Sequence, residues 1–409
     1  ADIQANFRAN KTKFRNDAFF VGTSIAQNAE FDSATFSQKI HFDKAAIGGN
    51  FSAKNALFAY QYGTLYFTKL HVGEDASFDG AQFASQADFQ DADIKGRLDF
   101  KYTRFDSNLL LNDASFKNFT FNGMDSTVSR IPRIDLSRTL INRDFTLEKV
   151  QVEQLLARHL SVKGQTSLKE VRVHKADFLL SEFQTLRMSE VRWPKTASQF
   201  ELAGMSYNHI GYENDVDENP QIADKNGLVG GRVESKFSSE DSLISMVKQS
   251  RFSPGTHNTL ETYFRNEGNK QYADKIFVAQ KRRERQNYQA WISLDWWLST
   301  ILWAIAGYGR YPQLALLWSA LFVTIGCYFF RDQDGMKLQR PDRHQPDQFK
   351  YNPFWYSLDL FVPVIDLKAA SIWQPKSERW FVRHYMRLHS VLGWLLIPIG
   401  LAALSGLIK

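Results

Sequence analysis

The chain has 409 residues, of which 44% are apolar and 23% charged, and its mean hydropathy is −0.37. These values exclude both a disordered polymer and a protein embedded in a membrane along its whole length, and the single cysteine excludes a disulfide framework and a thiolate zinc site. The net charge of +6 is spread evenly, because residues 1–200 hold 26 basic and 23 acidic side chains, so neither half is a polyanion or a strongly basic nucleic-acid binder.

Apolar residues return every eleven positions in the first half of the chain. One register consists of Ile3, Phe14, Ile25, Phe36, Ile47 and Phe58, and a second consists of Phe20, Phe31 and Phe42. Eleven is five plus six, and a step of five fits neither the 3.6-residue period of a helix nor the two-residue period of a strand. The chain must therefore turn a corner about every five residues.

Four such sides make one turn of a square coil, which predicts roughly nine or ten turns for residues 1–203 at about 4.8 Å per turn. One turn cannot bury its own phenylalanines, so we expect stability to come from stacking of neighbouring turns. The Phe columns are accordingly predicted to be core, and the mixed charges between them to be a solvated surface. The spacing is interrupted between about residues 121 and 144.

The repeats resemble the pentapeptide-repeat family, whose A-(D/N)-L/F-x-x units form a right-handed quadrilateral β-helix. The matching segments are Ala81-Gln82-Phe83, Ala87-Asp88-Phe89, Ala92-Asp93-Ile94 and Ala176-Asp177-Phe178. The resemblance covers about half the chain and implies this solenoid fold. The best-known activity of the family, inhibition of DNA gyrase by mimicry of DNA, needs a strongly acidic rod, which this half is not. We therefore expect no nucleic-acid partner.

Residues 204–290 are predicted to form a polar linker followed by a small helical hairpin. Helical spacing begins near Ser242, breaks at Pro254-Gly255 and continues across the turn Gly268-Asn269, in a pattern that resembles one tetratricopeptide unit. The hairpin ends in a basic cluster that we expect to meet anionic lipid headgroups. This cluster consists of Lys281, Arg282, Arg283 and Arg285. A solvated helix end is the alternative.

Residues 291–409 are predicted to form an α-helical membrane region. Residues 312–330 and 390–408 each give 19 residues without a charge, enough to span a hydrocarbon core of about 30 Å. The tryptophan-rich residues 291–306 predict an interfacial helix, with a third span as the alternative. Residues 353–367 predict a short re-entrant segment, and residues 376–389 a basic amphipathic helix.

The order span, re-entrant segment, span resembles the pore of a two-helix potassium channel. The segment Gly307-Tyr308-Gly309-Arg310-Tyr311-Pro312 matches the G-Y-G-x-x-P head found in pentapeptide-repeat proteins with a channel-like pore, and Trp355-Tyr356-Ser357-Leu358 loosely matches their pore helix. The match ends at residues 360–366, where Val, Ile and Pro replace the glycines that let a filter backbone adopt positive φ.

A less selective pore is predicted instead, because ionisable groups at membrane depth are functional candidates. Its lining candidates are Asp359, Pro363, Val364, Ile365 and Asp366. The alternative is that the two aspartates cap short helices at the water interface. Gly307-Tyr308-Gly309 could itself be a filter, but a helix-to-helix turn is the simpler interpretation.

No nucleophile–base pair, phosphate loop, nucleotide fingerprint or metal-ligand spacing is found in the sequence, so we predict no enzymatic activity, no cofactor and no metal site. The first functional hypothesis is a homo-oligomeric, tetrameric channel-like pore that the β-helix regulates or organises. The second is a non-conducting, membrane-anchored scaffold with a protein partner on the β-helix. The basic cluster places the β-helix in the cytoplasm, at the bacterial inner membrane, although the basic residues between the two spans oppose this orientation.

Overall fold

The computed structural model describes residues 1–123, 129–210, 239–288, 290–338, 350–362 and 366–405. Its internal contacts divide the chain into two units, Ala1–Glu267 and Gly268–Lys409. The first unit contains a β-solenoid and two helices, and the second is mostly helical.

The solenoid makes about nine turns, each of which adds short parallel strands to the same sheets. Ser24 pairs with Asp2, and Ala46 pairs with Ser24. Residues separated by one turn are commonly 22 positions apart, which is twice the eleven-residue spacing of the sequence. The predicted right hand of the coil stays a prediction.

Three sheets form the sides of the solenoid. The five-stranded sheet consists of Lys13–Phe14, Thr35–Phe36, Leu57–Phe58, Gln82–Phe83 and Arg104–Phe105. The nine-stranded sheet consists of Ala18–Phe19, Ile40–His41, Thr64–Tyr66, Gln86–Asp88, Leu109–Leu110, Ser129–Asp135, Val150–Leu156, Arg172–Asp177 and Phe200–Glu201. The fifteen-stranded sheet consists of Asp2–Ile3, Phe7–Arg8, Ser24–Ile25, Ala29–Glu30, Ala46–Ile47, Phe51–Ser52, His71–Val72, Ala76–Ser77, Asp93–Lys101, Ser115–Asn122, Leu140–Ile141, Phe145–Glu148, Ser161–Lys169, Glu182–Ser189 and Ser206–Ile210.

The predicted aromatic columns form the core of the solenoid. Phe36 and Phe58 stack at 5.1 Å between ring centroids, Phe58 and Phe83 at 4.6 Å, and Phe83 and Phe105 at 4.7 Å. All four rings are almost completely buried. Since each ring is covered by the turns above and below it, the stack as a whole supplies the burial that one turn lacks.

The solenoid extends further than the repeat spacing suggests. Ser129–Asp135 pairs with the turns on both sides, because the buried Ile131 and Ile134 replace the missing phenylalanines. The last strand, Ser206–Ile210, pairs with Glu182–Ser189 and lies beyond the predicted boundary at residue 203.

Two helices follow the solenoid in the first unit: α1 (Ser239–Gln249) and α2 (Pro254–Asn266). The hydroxyl of Thr256 donates to the carbonyl oxygen of Leu202 at 2.9 Å, and the Tyr263 hydroxyl accepts from the backbone N–H of Ile210 at 3.3 Å. These hydrogen bonds attach α2 to the last turn.

The second unit contains six helices among its described residues: α3 (Lys270–Tyr288), α4 (Leu294–Ala306), α5 (Pro312–Phe329), α6 (Pro353–Phe361), α7 (Ala369–Ile372) and α8 (Trp380–Leu404). A 3-10 turn at Gln333–Gly335 leads into the strand Met336–Leu338, which pairs antiparallel with Trp373–Pro375, and another 3-10 turn lies at Ala197–Gln199 in the first unit. The helices of the predicted hairpin, α2 and α3, fall in different units.

Helix α8 runs without interruption through the boundary between the predicted amphipathic helix at 376–389 and the predicted span at 390–408. No proline or glycine stands between Trp380 and Leu392 to break it.

Two helices, α5 and α8, are long and apolar enough to cross a membrane by length and composition. Their most apolar 18-residue windows have a mean hydropathy of 1.5, and only 17% and 28% of these windows are buried. Helix α4 is also apolar, but its 13 residues rise only about 20 Å, less than the ~30 Å of a hydrocarbon core.

Candidate functional site

The two predicted pore-lining aspartates bind backbone N–H groups. Asp359 accepts hydrogen bonds from the backbone of Leu367 and of Ala370, each at 2.7 Å. Asp366 accepts one from the backbone of Lys368 at 2.9 Å. The Asp359 carboxylate thus holds the first turn of α7, and Asp366 binds the residue just before that helix.

The other predicted pore-lining residues, Pro363, Val364 and Ile365, lie outside the described residues. The predicted pore lining therefore stays a prediction.

The segment Gly307-Tyr308-Gly309 forms the turn between α4 and α5. All three residues have positive φ, of 54°, 57° and 85°, and the N–H groups of Gly307 and Tyr308 donate to the carbonyls of Trp303 and Leu302. This geometry satisfies the last carbonyls of α4, which is the helix-to-helix turn expected in the simpler interpretation.

Part of the predicted basic cluster packs against the tryptophans of α4. Arg285 is only 7% exposed and donates from Nη1 to Thr300 Oγ1 at 3.0 Å. Its guanidinium lies 5.5 Å from the ring centroids of both Trp296 and Trp303, where cation–π attraction stabilises it. Arg285 therefore fixes α3 on α4.

The remaining residues of the cluster are nearer the surface. Lys281 forms an ion pair with Glu284 at 3.1 Å, and the exposed Arg282 lies 5.7 Å from the ring centroid of Trp303. Burial lowers the pKa of the half-buried Arg283. The cluster thus contains both packing residues and solvent-facing cations.

A polar contact that the sequence analysis missed joins α5, α6 and α8. Ser357 Oγ donates to the carbonyl of Val323 at 2.9 Å, so it accepts from His389 Nε2 at 3.1 Å. The Tyr385 hydroxyl lies 3.4 Å from His389 Nδ1 and donates to it. Because Ser357 and His389 are both fully buried and hydrogen-bonded, this pair holds the helices together rather than forming an accessible nucleophile and base.

Glycines allow the same three helices to approach closely. A Cβ atom at Gly326 of α5 would lie 2.1 Å from Ser357 Oγ, and one at Gly393 of α8 would lie 1.8 Å from the carbonyl oxygen of Phe361. The close packing of α8 could have been predicted from the spacing of His389, Gly393, Leu396 and Gly400. These four residues lie on one face of the helix and are all buried.

The nine-stranded sheet carries a polar groove of about 470 Å³, here called the solenoid groove. It is lined by Gln86, Asn108, Leu110, Asn112, Arg133, Asp135, Ser137, Arg138, Leu156, Arg158, Lys175 and Asp177. Arg133 pairs with Asp135 at 2.5 Å, and Arg158 pairs with Asp177 at 2.7 Å. Arg138 pairs with Asp113 beside the groove, so its four cations are balanced by three carboxylates and the excess is one positive charge.

Aromatic side chains stack on the outer surface of the same sheet at its N-terminal end. The rings of Phe19 and His41 lie 5.0 Å apart, and those of His41 and Tyr66 lie 4.8 Å apart. Phe19 is 66% exposed. The nine-stranded sheet therefore offers both aromatic and charged contacts to a partner.

The fold defines a β-solenoid protein with a helical C-terminal region that contains two long apolar helices. Residues 67–115, which lie within the solenoid, match the family described as Pentapeptide repeats (9 copies). No curated protein and no solved structure matches the chain. Because the family match covers repeats alone, the comparisons give no support to the likeness with a potassium channel.

Proposed function

We propose that the protein is a membrane-anchored interaction scaffold, in which α5 and α8 lie in a bilayer and the pentapeptide-repeat solenoid presents a binding surface. The exposed leucines and tryptophan of the two helices carry this proposal: Leu316 is 59% exposed, Leu317 64%, Trp394 66% and Leu401 55%. Apolar surface exposed to water costs about 25 cal/mol per Å², and large apolar patches mark membrane or protein contacts. A bilayer covers α5 and the uncharged residues of α8 that follow Arg387.

The proposed orientation follows from the number of spans. Two spans return the chain to its starting side, and the short α4 then lies in the interface, where tryptophan is favoured. From the basic cluster next to it, we infer that the solenoid lies in the cytoplasm, at a bacterial inner membrane.

The solenoid groove is the proposed contact surface for a protein partner. Its excess of arginine and lysine favours a partner with acidic side chains. The proposal assigns no catalytic activity or cofactor. Among residues the structure describes, no group of three or more His, Cys, Asp and Glu side chains could hold a metal ion.

Membrane anchoring is tested by extracting cell membranes with alkaline carbonate. We expect the full chain to stay in the pellet, and Leu321→Arg, at the exposed central leucine of α5, to weaken its retention, because arginine at the centre of a span costs about 2.5–3.5 kcal/mol. Leu57→Arg, at an exposed leucine of the solenoid, is the control and should behave like the wild type. Release of the wild-type chain by carbonate would contradict the proposal.

Scaffolding is tested by photo-cross-linking in cells from a reactive residue placed at Leu110 or Leu156 of the solenoid groove, with Leu57 on the five-stranded sheet as the control. One discrete adduct at the groove positions and none at Leu57 is expected. Equal adducts at all three positions, or none, would argue against a partner in this groove.

A second candidate function is a homo-oligomeric, tetrameric channel-like pore organised by the solenoid. It is favoured by the short α6, which the Ser357–His389 pair holds against α5 and α8. Planar-bilayer recording of the purified chain decides between the two functions. A pore predicts conductance whose cation preference changes in Asp359→Asn and Asp366→Asn, whereas the scaffold predicts no conductance.

A further inference from the structure

A groove of about 440 Å³ lies between α3 and the start of α5, beside the predicted basic cluster. Most of its lining belongs to α3, and Trp303 belongs to α4, so we call it the α3–α4 groove. It is lined by Lys275, Val278, Ala279, Arg282, Arg283, Gln286, Trp303 and Tyr311. Three of these residues are cations and none is a carboxylate. The groove therefore favours an anionic ligand.

Two of the three cations of the groove are next to aromatic or buried surface. Arg282 lies over the ring of Trp303 at 5.7 Å, and that ring also contacts the buried Arg285 at 5.5 Å. Arg283 is half-buried, and burial lowers its pKa. A partly buried guanidinium is weakly hydrated and gains more from an anion than an exposed one does.

The groove borders the apolar surface of the two neighbouring helices. Tyr311 directly precedes α5, on which Leu316 and Leu317 are exposed, and Trp303 belongs to α4, on which Leu298 and Ile301 are exposed. Tyrosine and tryptophan favour the headgroup level of a bilayer. In a membrane, this arrangement brings the cations to the depth of the lipid phosphates and the apolar helices to that of the acyl chains.

We propose that the α3–α4 groove binds the phosphate of an anionic glycerophospholipid, with Lys275, Arg282 and Arg283 as its cationic contacts. This inference rests on the proposed membrane anchoring and adds a lipid preference to it. Lys281 and Arg285 of the basic cluster are not part of the site, because neither lines the groove.

Native mass spectrometry of the full chain in detergent, titrated with phosphatidylglycerol or phosphatidylcholine, tests the site. Phosphatidylglycerol should bind more tightly than phosphatidylcholine. Arg282→Gln should weaken the binding of phosphatidylglycerol about fivefold, since each cation near a membrane surface contributes on the order of 1 kcal/mol. The double variant with Lys275→Gln and Arg282→Gln should weaken it about 25-fold. Arg282→Lys should keep most of the affinity.

Lys281→Gln is the matched control, because it removes a charge from the same helix outside the groove. Equal affinity for both lipids, or an equal loss in Lys281→Gln and Arg282→Gln, would overturn the proposal. Displacement of phosphatidylglycerol by excess inorganic phosphate would assign the groove to free phosphate and overturn the lipid assignment. Retention of the wild-type chain in carbonate-washed membranes separates these outcomes from a failure of the membrane anchor itself.

Discussion

The turns of the solenoid approach each other so closely that some positions accept only glycine. A Cβ atom at Gly73 would lie 2.1 Å from the carbonyl oxygen of Gly48, and one at Gly48 would lie 2.3 Å from that of Ala26. The obstacle in both cases is backbone of the neighbouring turn, which is itself paired in the sheet. A Cβ atom at either position could be accommodated only if the two turns moved apart.

Gly73→Ala should therefore destabilise the solenoid by about 1–3 kcal/mol, the usual cost of overpacking. Thermal unfolding followed by circular dichroism of the full chain in detergent measures the change. Gly255→Ala is the control, because its Cβ atom would meet Ser253 Oγ at 3.8 Å, an ordinary van der Waals contact. Equal melting temperatures for Gly73→Ala and the wild type would show that the turns are less tightly packed than described.

One carboxylate between two turns makes part of the solenoid stability depend on pH. Burial alone would raise the pKa of Asp75, but hydrogen bonds from the backbone N–H of Arg97 at 2.8 Å and from its guanidinium at 2.9 Å outweigh burial and lower the pKa below 3.8. A lowered folded-state pKa gives stability that is present above the unfolded-state pKa and lost as the pH falls through the folded-state value.

Asp75→Asn should therefore reduce the loss of stability on acidification from pH 7 to below the lowered pKa of Asp75. The difference should be about 0.2–1 kcal/mol, because the pair is partly exposed and solvent screens it. Thermal unfolding of both chains at the two pH values measures it. An identical acid-induced decrease of the melting temperature in both chains would show that the Asp75 carboxylate does not make the stability depend on pH.

At the scale of elements, the position of α6 depends on close contact with α8. The Cβ position of Gly393 lies 1.8 Å from the carbonyl oxygen of Phe361 at the end of α6, whereas that of Gly400 lies 3.2 Å from a side-chain atom, Ala315 Cβ. The atom that a Cβ at Gly393 would meet belongs to the backbone, whereas the atom that a Cβ at Gly400 would meet is a side-chain methyl group. Substitution of Gly393 should therefore destabilise the protein more than substitution of Gly400.

Gly393→Ala should separate α6 from α8 and lower the melting temperature of the full chain in detergent by more than Gly400→Ala does. It should also increase proteolysis at Tyr351–Phe354, the start of α6, since a loosened element opens at lower free energy. If Gly393→Ala melts like the wild type and resists protease equally, α6 does not depend on this contact.

The elements differ in how far the sequence predicts them. A five-residue step allows few geometries, so the Phe columns, including Phe36, Phe58 and Phe83, could be assigned to the core before the structure was known. The continuity of α8 was not predicted, because a hydropathy window ends at Arg387, so the amphipathic segment and the apolar segment after it were predicted separately although α8 contains residues of both. The Ser357–His389 pair was equally hidden, since helix crossing joins residues far apart in sequence.

At the scale of the whole molecule, the two units have different surfaces. The solenoid exposes mixed charges, with ion pairs between turns such as Arg97–Asp75 and Arg138–Asp113. The helical unit exposes leucine, tryptophan and phenylalanine on α4, α5 and α8. A protein in water throughout would be expected to cover the second kind of surface, so the central claim is that α5 and α8 lie in lipid.

Site-directed spin labelling of the full chain in vesicles tests this claim most directly. Nitroxides are placed at Leu317 or Leu395, and at Tyr62 on the solenoid as the control, in a chain whose single cysteine is removed by Cys327→Ala. The account predicts that labels at Leu317 and Leu395 collide with oxygen and are shielded from a water-soluble nickel chelate, while the label at Tyr62 is open to nickel. Nickel access at Leu317 and Leu395 equal to that at Tyr62 would contradict it, because both helices would then lie in water.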